Sequence, residues 1–181
     1  VAVVVDAAVA TSFALAVTRP YSTGLGGGGF MMIALAGKEP VVLDYRETAP
    51  AGTTAADYLD SSGKDVLRKT VHGHWAAGVP GVVLGLATAL ERYGTMKLPE
   101  VMAPAIELAD KGFAVDANTH SAMKFLAERL ALPDGKSPAF AEAKRIFLKD
   151  GAPYPVGERF RQPDLAKTLR LISDAGAEAF Y

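Results

Sequence analysis

The chain contains no cysteine. Disulfides, thiolate nucleophiles and cysteine-ligated metals are therefore excluded, while the compartment stays open. Neither sign of charge is in excess. The 19 Lys and Arg against 20 Asp and Glu leave a formal net charge of −1, and a phosphate-binding surface would need a basic surplus. No apolar run is long enough to span a bilayer. The most apolar stretch, residues 1–17 (VAVVVDAAVATSFALAV), carries Asp6 and has no basic leader. It also falls short of the roughly 20 residues a membrane helix requires. Of the three histidines, His72 and His74 form an H-x-H pair and His120 is remote. A metal site needs at least a third ligand, so none is expected. No G-x-S-x-G elbow occurs, and Ser22, Thr23 and Thr70 have no recognisable base beside them.

What is present reads as a globular chain. Half the residues are hydrophobic and 22% are charged, and 181 residues suit a single domain. Residues 6–19 read as a helix apolar all round, stopped by Pro20 and buried on most sides. A loop follows with five glycines between Gly24 and Gly29. Residues 30–36 and 41–45 read as two strands joined by a turn at GKEP, the first apolar on both faces and so suited to a sheet interior. Residues 48–79 read as irregular, with a polar patch from Asp60 to Asp65. After residue 80 the pattern is helical. Pro80 to Gly94 bounds one helix and Pro99 to Gly112 another, in which Val101, Ala105, Leu108 and Ala109 share a face and Pro104 introduces a bend. Asp116 caps a third, running to about Leu132. Ser137-Pro138 opens a fourth with Phe140, Ala143 and Phe147 inward. Pro163 opens the last, with Leu165, Leu169 and Ile172 inward and Gly176 ending it.

This layout is short of strands. A two-stranded ribbon is marginal alone, so the sheet is expected to be completed by chain outside these residues or by another subunit, and its open edges invite self-association. The chain opens on Val1 and closes on AEAFY, which reads as the first turn of a helix. Both ends read as cuts, which predicts a single partial domain over residues 1–181.

Two features bear on chemistry. Neither phosphate motif fits the glycine run, because a P-loop continues Lys-Ser/Thr into a helix and a dinucleotide fingerprint places its strand before the glycines. The run is expected to be a close-packed entry to a core strand, with a ligand-contacting loop as the alternative. The second feature is Arg46 in LDYRETAP. Strand alternation puts Val42, Asp44 and Arg46 on one face. An arginine there can present its fork to a carboxylate or form an internal ion pair with Asp44 or Glu47, and spacing alone does not choose.

The segments VDAAVATSFALAVTRPYSTGLGGGGFMMI, LDYRETAP, GVPGVVLGL, ERYGTMKLPEVMAPAIELADKGFAV and DLAKTLRLISDAGAEAFY together resemble the gamma-glutamyltranspeptidase family. The resemblance runs from Val5 to Tyr181 and is loose at 60–74 and 133–160. It implies an α+β fold: the N-terminal part of the αββα sandwich of N-terminal nucleophile hydrolases, incomplete here and mostly helical after residue 80. It implies a precursor that cuts itself, a nucleophilic threonine opening a small subunit, and a gamma-glutamyl group moved from glutathione to amino acids, peptides or water. It implies no cofactor, no metal and no nucleic-acid partner, and an exported protein, periplasmic or secreted. Arg46 matches the arginine that pairs with the substrate α-carboxylate, and Glu47 and Asp44 match its supports. Gly26, Gly27, Gly28 and Gly29 match a structural glycine loop. No catalytic residue is implied within the chain. Alternatives are a related acylase, a poly-gamma-glutamate depolymerase, or a non-catalytic module that grips carboxylates or assists assembly.

Overall fold

Helix α1 (Val3–Thr18) organises the packing. Val9, Phe13 and Val17 are fully buried and Val5 and Ala16 nearly so, a spacing that winds apolar side chains onto adjoining faces of one helix. The burial is less complete than the composition predicts. Val4, Ala7 and Thr11 form a narrow exposed stripe. The helix ends before Pro20, and its last carbonyls find partners: the Thr23 hydroxyl donates to Leu15 O at 2.8 Å and to Arg19 O at 3.2 Å. The computed structural model describes residues 3–71, 73–131 and 140–181, with the backbone alone at Arg68. His72, Leu132, Ser137 and Pro138 lie outside the described residues.

The two strands form as read but shorter. β1 (Phe30–Ile33) pairs antiparallel with β2 (Val41–Asp44), Phe30 opposite Asp44 and Ile33 opposite Val41. Within these residues the ribbon is covered on one face. Ile33 is buried, whereas Phe30, Met32 and Val42 are 60%, 74% and 57% exposed. The ribbon has one layer beneath it, and among the described residues no second layer covers its outer face.

Residues 48–79 fold as short pieces: a 3₁₀ turn at Ala55–Tyr58, helix α2 (Leu67–Val71) and a second 3₁₀ turn at His74–Ala76. A small cluster joins them. Lys69 sits over the Trp75 ring at 5.4 Å, and the Tyr58 hydroxyl donates to Trp75 O at 2.9 Å. Helices α3 (Val82–Tyr93) and α4 (Leu98–Lys111) then follow the proline and glycine punctuation. Val101, Met102, Ala105 and Ala109 are the buried face of α4 and Leu108 is only half-buried. α4 lies between α1 and helix α7 (Pro163–Ala175). Ala166, Leu169 and Ile172 of α7 complete that core.

A second, smaller core was not legible in the sequence. Short ribbons pair β3 (Phe113–Ala114) with β6 (Arg159–Phe160), and β4 (Leu148–Lys149) with β5 (Ala152–Pro153). Phe160 is fully buried there and meets Phe113 and Tyr154 edge-on at 5.8 and 5.1 Å. Helix α5 (Ala117–Ala131) is capped as predicted, Asp116 Oδ1 accepting the Thr119 N–H at 2.6 Å. Helix α6 (Ala141–Phe147) follows, with Phe140, Ala143 and Phe147 half-buried. AEAFY adds a 3₁₀ turn at Ala177–Phe180.

Asp6 has a larger part than its place in the first turn of α1 suggests. It is 2% exposed. Its carboxylate accepts the Thr95 hydroxyl at 2.5 Å and the N–H groups of Thr95 and Met96 at 2.8 and 3.1 Å, fastening α1 to the α3–α4 turn. The Thr95 hydroxyl above all, with the two N–H groups, holds the carboxyl below its usual range, although burial opposes it. A carboxylate with a lowered folded pKa contributes stability above its unfolded pKa and loses it as pH falls through the folded one. Stability measured against pH should therefore fall in acid, and Asp6→Asn should lower stability at pH 7 while flattening that acid slope. An unchanged slope would show that the latch carries no charge-dependent stability.

Candidate active-site wall

The site is built outward from the backbone of residues 45–48, where β2 ends. Tyr45 continues the ribbon: its N–H donates to Gly29 O at 2.9 Å and its carbonyl accepts the Gly29 N–H at 3.3 Å. Three residues on, Thr48 and Val79 exchange N–H bonds at 3.2 and 2.8 Å. The Arg46 N–H between these ladders donates to Asp44 Oδ1 at 3.0 Å. Asp44 thus serves as a local turn brace, with its acceptor spent on the backbone.

Arg46 is exposed, on the face that alternation gives it with Val42 and Asp44, and its guanidinium lies 6.0 Å from the centre of the Phe30 ring. Among the described residues no carboxylate forms an ion pair with it. The internal ion pair is therefore not the arrangement seen, and the five donors of the fork face outward. Glu47 turns the other way, its carboxylate beside Gly27 and Gly28. It faces a cavity of about 520 Å³ between the end of α1, the glycine loop and α3, lined also by Ser12, Tyr21, Thr23 and Tyr45.

The glycines differ in how much they are needed. Gly26 has open space around a built Cβ, and Gly27 meets only ordinary contacts. A Cβ on Gly28 would stand 2.6 Å from Glu47 N and 2.7 Å from Arg46 Cα. Gly27 O accepts the N–H groups of Gly81 and Val82 at 2.9 and 3.1 Å, which satisfies the start of α3. Three further glycines that the sequence reading passed over press on the same strand end. A Cβ on Gly78 would lie 2.8 Å from Glu47 Cβ, one on Gly81 2.0 Å from Tyr45 O, and one on Gly85 2.2 Å from Tyr45 Cγ. The available signal was Gly85 itself, a glycine inside an otherwise regular helical pattern. Burial pushes the Tyr45 phenol up, so it stays neutral.

Among the described residues the histidines do not line this cavity. His74 lies against Trp75, 5.3 Å between ring centres, and His120 Nδ1 is 2.7 Å from Tyr154 O. Among the described residues no group of three His, Cys, Asp or Glu could hold a metal ion. Nor is any helix among them long and apolar enough to cross a membrane. The hydroxyls of Thr23 and Thr70 donate to main-chain carbonyls.

The sequence model described as gamma-glutamyltranspeptidase matches residues 3–181. A glutathione hydrolase proenzyme from Pseudomonas sp. (strain A14) is 43% identical over 182 residues, covering 98% of this chain and 30% of that protein. An acylase ACY 1 proenzyme from Pseudomonas sp. (strain V22) is 40% identical, with 98% and 32% covered. The crystal structure of Helicobacter pylori gamma-glutamyltranspeptidase superposes with a TM-score of 0.90 at 43% identity, covering 98% of this chain and 49% of that one. The chain thus spans about a third of the length of these curated relatives. Its architecture is α+β, part of the N-terminal nucleophile hydrolase sandwich. The chain belongs to the gamma-glutamyltranspeptidase family.

Proposed function

We propose that residues 1–181 are one partial domain of a larger proenzyme and form the wall that grips a gamma-glutamyl donor by its α-carboxylate. The observation that carries this is Arg46: exposed, without an acidic partner among the described residues, and mounted on a backbone held from both sides. A guanidinium fork matches a carboxylate in two parallel hydrogen bonds. Asp44 and Glu47 act through the backbone and the glycine loop that shape the turn, and Gly26 to Gly29 are structural.

The chemistry itself would come from polypeptide beyond these residues. A threonine freed at the start of the small subunit attacks the gamma-carbonyl, its own α-amine taking the proton. The amine of the donor leaves, and water, an amino acid or a peptide amine then takes the acyl group. Glutathione fits as donor, and a periplasmic or secreted location fits a precursor of this kind. Arg46 holds the α-carboxylate in place through both steps, so its contribution is orientation.

The test compares three anilides on the full-length precursor. Gamma-glutamyl anilide carries both α-groups, glutaryl anilide lacks the amine, and 4-aminobutyryl anilide lacks the carboxylate. The gamma-glutamyl compound should be turned over best and the 4-aminobutyryl compound worst, while the 181 residues alone should turn over none. Preference for glutaryl anilide would favour the acylase reading, which the 40% identity to an acylase proenzyme supports as the second choice. Equal turnover of 4-aminobutyryl and gamma-glutamyl anilides would remove the role given to Arg46.

A further inference from the structure

Arg46 has little to fix it through its own side chain. Among the described residues no ion pair holds its guanidinium, and the Phe30 ring stands 6.0 Å away. A flexible arginine that must meet a carboxylate in a defined place needs its accuracy from the backbone that launches it. That backbone is gripped most tightly one residue earlier, at Tyr45. The first turn of α3 abuts the Tyr45 main chain, where a Cβ on Gly81 would stand 2.0 Å from the carbonyl oxygen. The next turn abuts the ring. A Cβ on Gly85 would stand 2.2 Å from Tyr45 Cγ and 2.4 Å from Tyr45 Cβ. The far edge of the same ring touches Gly29, whose built Cβ would be 3.0 Å from Cε2. Tyr45 is thus a wedge seated in a notch that only glycine leaves open, with helix on one side and strand on the other.

We propose that the Tyr45 ring and the Gly85 notch are positioning residues for donor binding: together they set where Arg46 stands relative to the α-carboxylate. The inference rests on the reading of Arg46 as the carboxylate-binding group. Neither residue touches substrate. The contact is close to the Cα of Tyr45, at Cβ and Cγ, so rotating the far end of the side chain cannot relieve an added methyl. The strand end must shift by about 1 Å to restore ordinary contact, and a misplacement of that size in a binding group costs on the order of 100-fold.

The experiment is steady-state kinetics on the processed full-length protein with gamma-glutamyl anilide. Gly85→Ala should raise KM by about 10- to 100-fold and change kcat by less than about threefold. KM does not depend on how much enzyme matures, so loss of folded or processed protein alone would lower apparent kcat and leave KM in place. That outcome overturns the proposal. Tyr45→Leu opens the notch instead of filling it and serves where Gly85→Ala yields no soluble protein. It should raise KM several-fold, and an unchanged KM overturns the proposal equally. Adding Tyr45→Leu to Gly85→Ala should recover part of the lost affinity, because the methyl then has room. Arg46→Met separates the two layers of argument. If it leaves KM unaltered, the carboxylate reading falls and the inference with it. If it raises KM while the Tyr45 and Gly85 variants do not, only the positioning claim falls.

Discussion

Arg46→Met in the full-length precursor should raise KM for a gamma-glutamyl donor by roughly 30- to 3,000-fold. Loss of one member of a hydrogen-bonded charge pair costs about 2–5 kcal/mol, and each 1.4 kcal/mol is a factor of ten. Methionine keeps most of the apolar stem and removes the guanidinium together with its place beside the Phe30 ring, so the loss reports that group. Arg46→Lys should fall between, since an ammonium keeps the charge without the fork. The effect should vanish with 4-aminobutyryl anilide, which offers no α-carboxylate. A methionine variant that binds the gamma-glutamyl donor as tightly as the parent would end the reading.

The site's outline was open to a reader of the sequence, and its engineering was not. Alternation along Val41 to Tyr45 placed Val42, Asp44 and Arg46 on one face because a strand's period of two allows no other choice. The helices after Pro80 and Pro99 were legible because proline and glycine mark their ends. Three things were hidden. Phe30 and Met32 read as interior residues, since composition reports that a side chain seeks cover and says nothing about which chain supplies it. The ribbons around Phe160 are two residues per strand, too short for any periodicity to show. The glycines at 78, 81 and 85 are spread through a loop and a helix, and their common purpose appears only when Tyr45 and Glu47 are found between them. Asp6 belongs with these, because its partners Thr95 and Met96 are some ninety residues away.

Phe13→Ala should be the most damaging of the simple core truncations, lowering the free energy of unfolding by about 3–5 kcal/mol. Phe13 is fully buried at the centre of α1, in the cluster that also holds Val9, Val17, Met102 and Leu169. Removing its ring forfeits the transfer energy of an aromatic side chain and leaves a cavity that backbone on α1 and α4 cannot close without unpacking both helices. Such a loss is a large share of the stability a domain of this size commands. Phe125→Ala is the control. Phe125 is 70% exposed on α5, so its loss should stay within about 0.5 kcal/mol. Urea titrations followed by circular dichroism would read both. Equal midpoints for the two variants would mean that α1 is not the element around which the other helices pack. The consequence then reaches function, since α1 and α3 together form the floor on which the ribbon carrying Arg46 rests. A protein that tolerates Phe13→Ala should also tolerate movement of that floor, and its donor KM would no longer depend on how tightly α3 grips Tyr45.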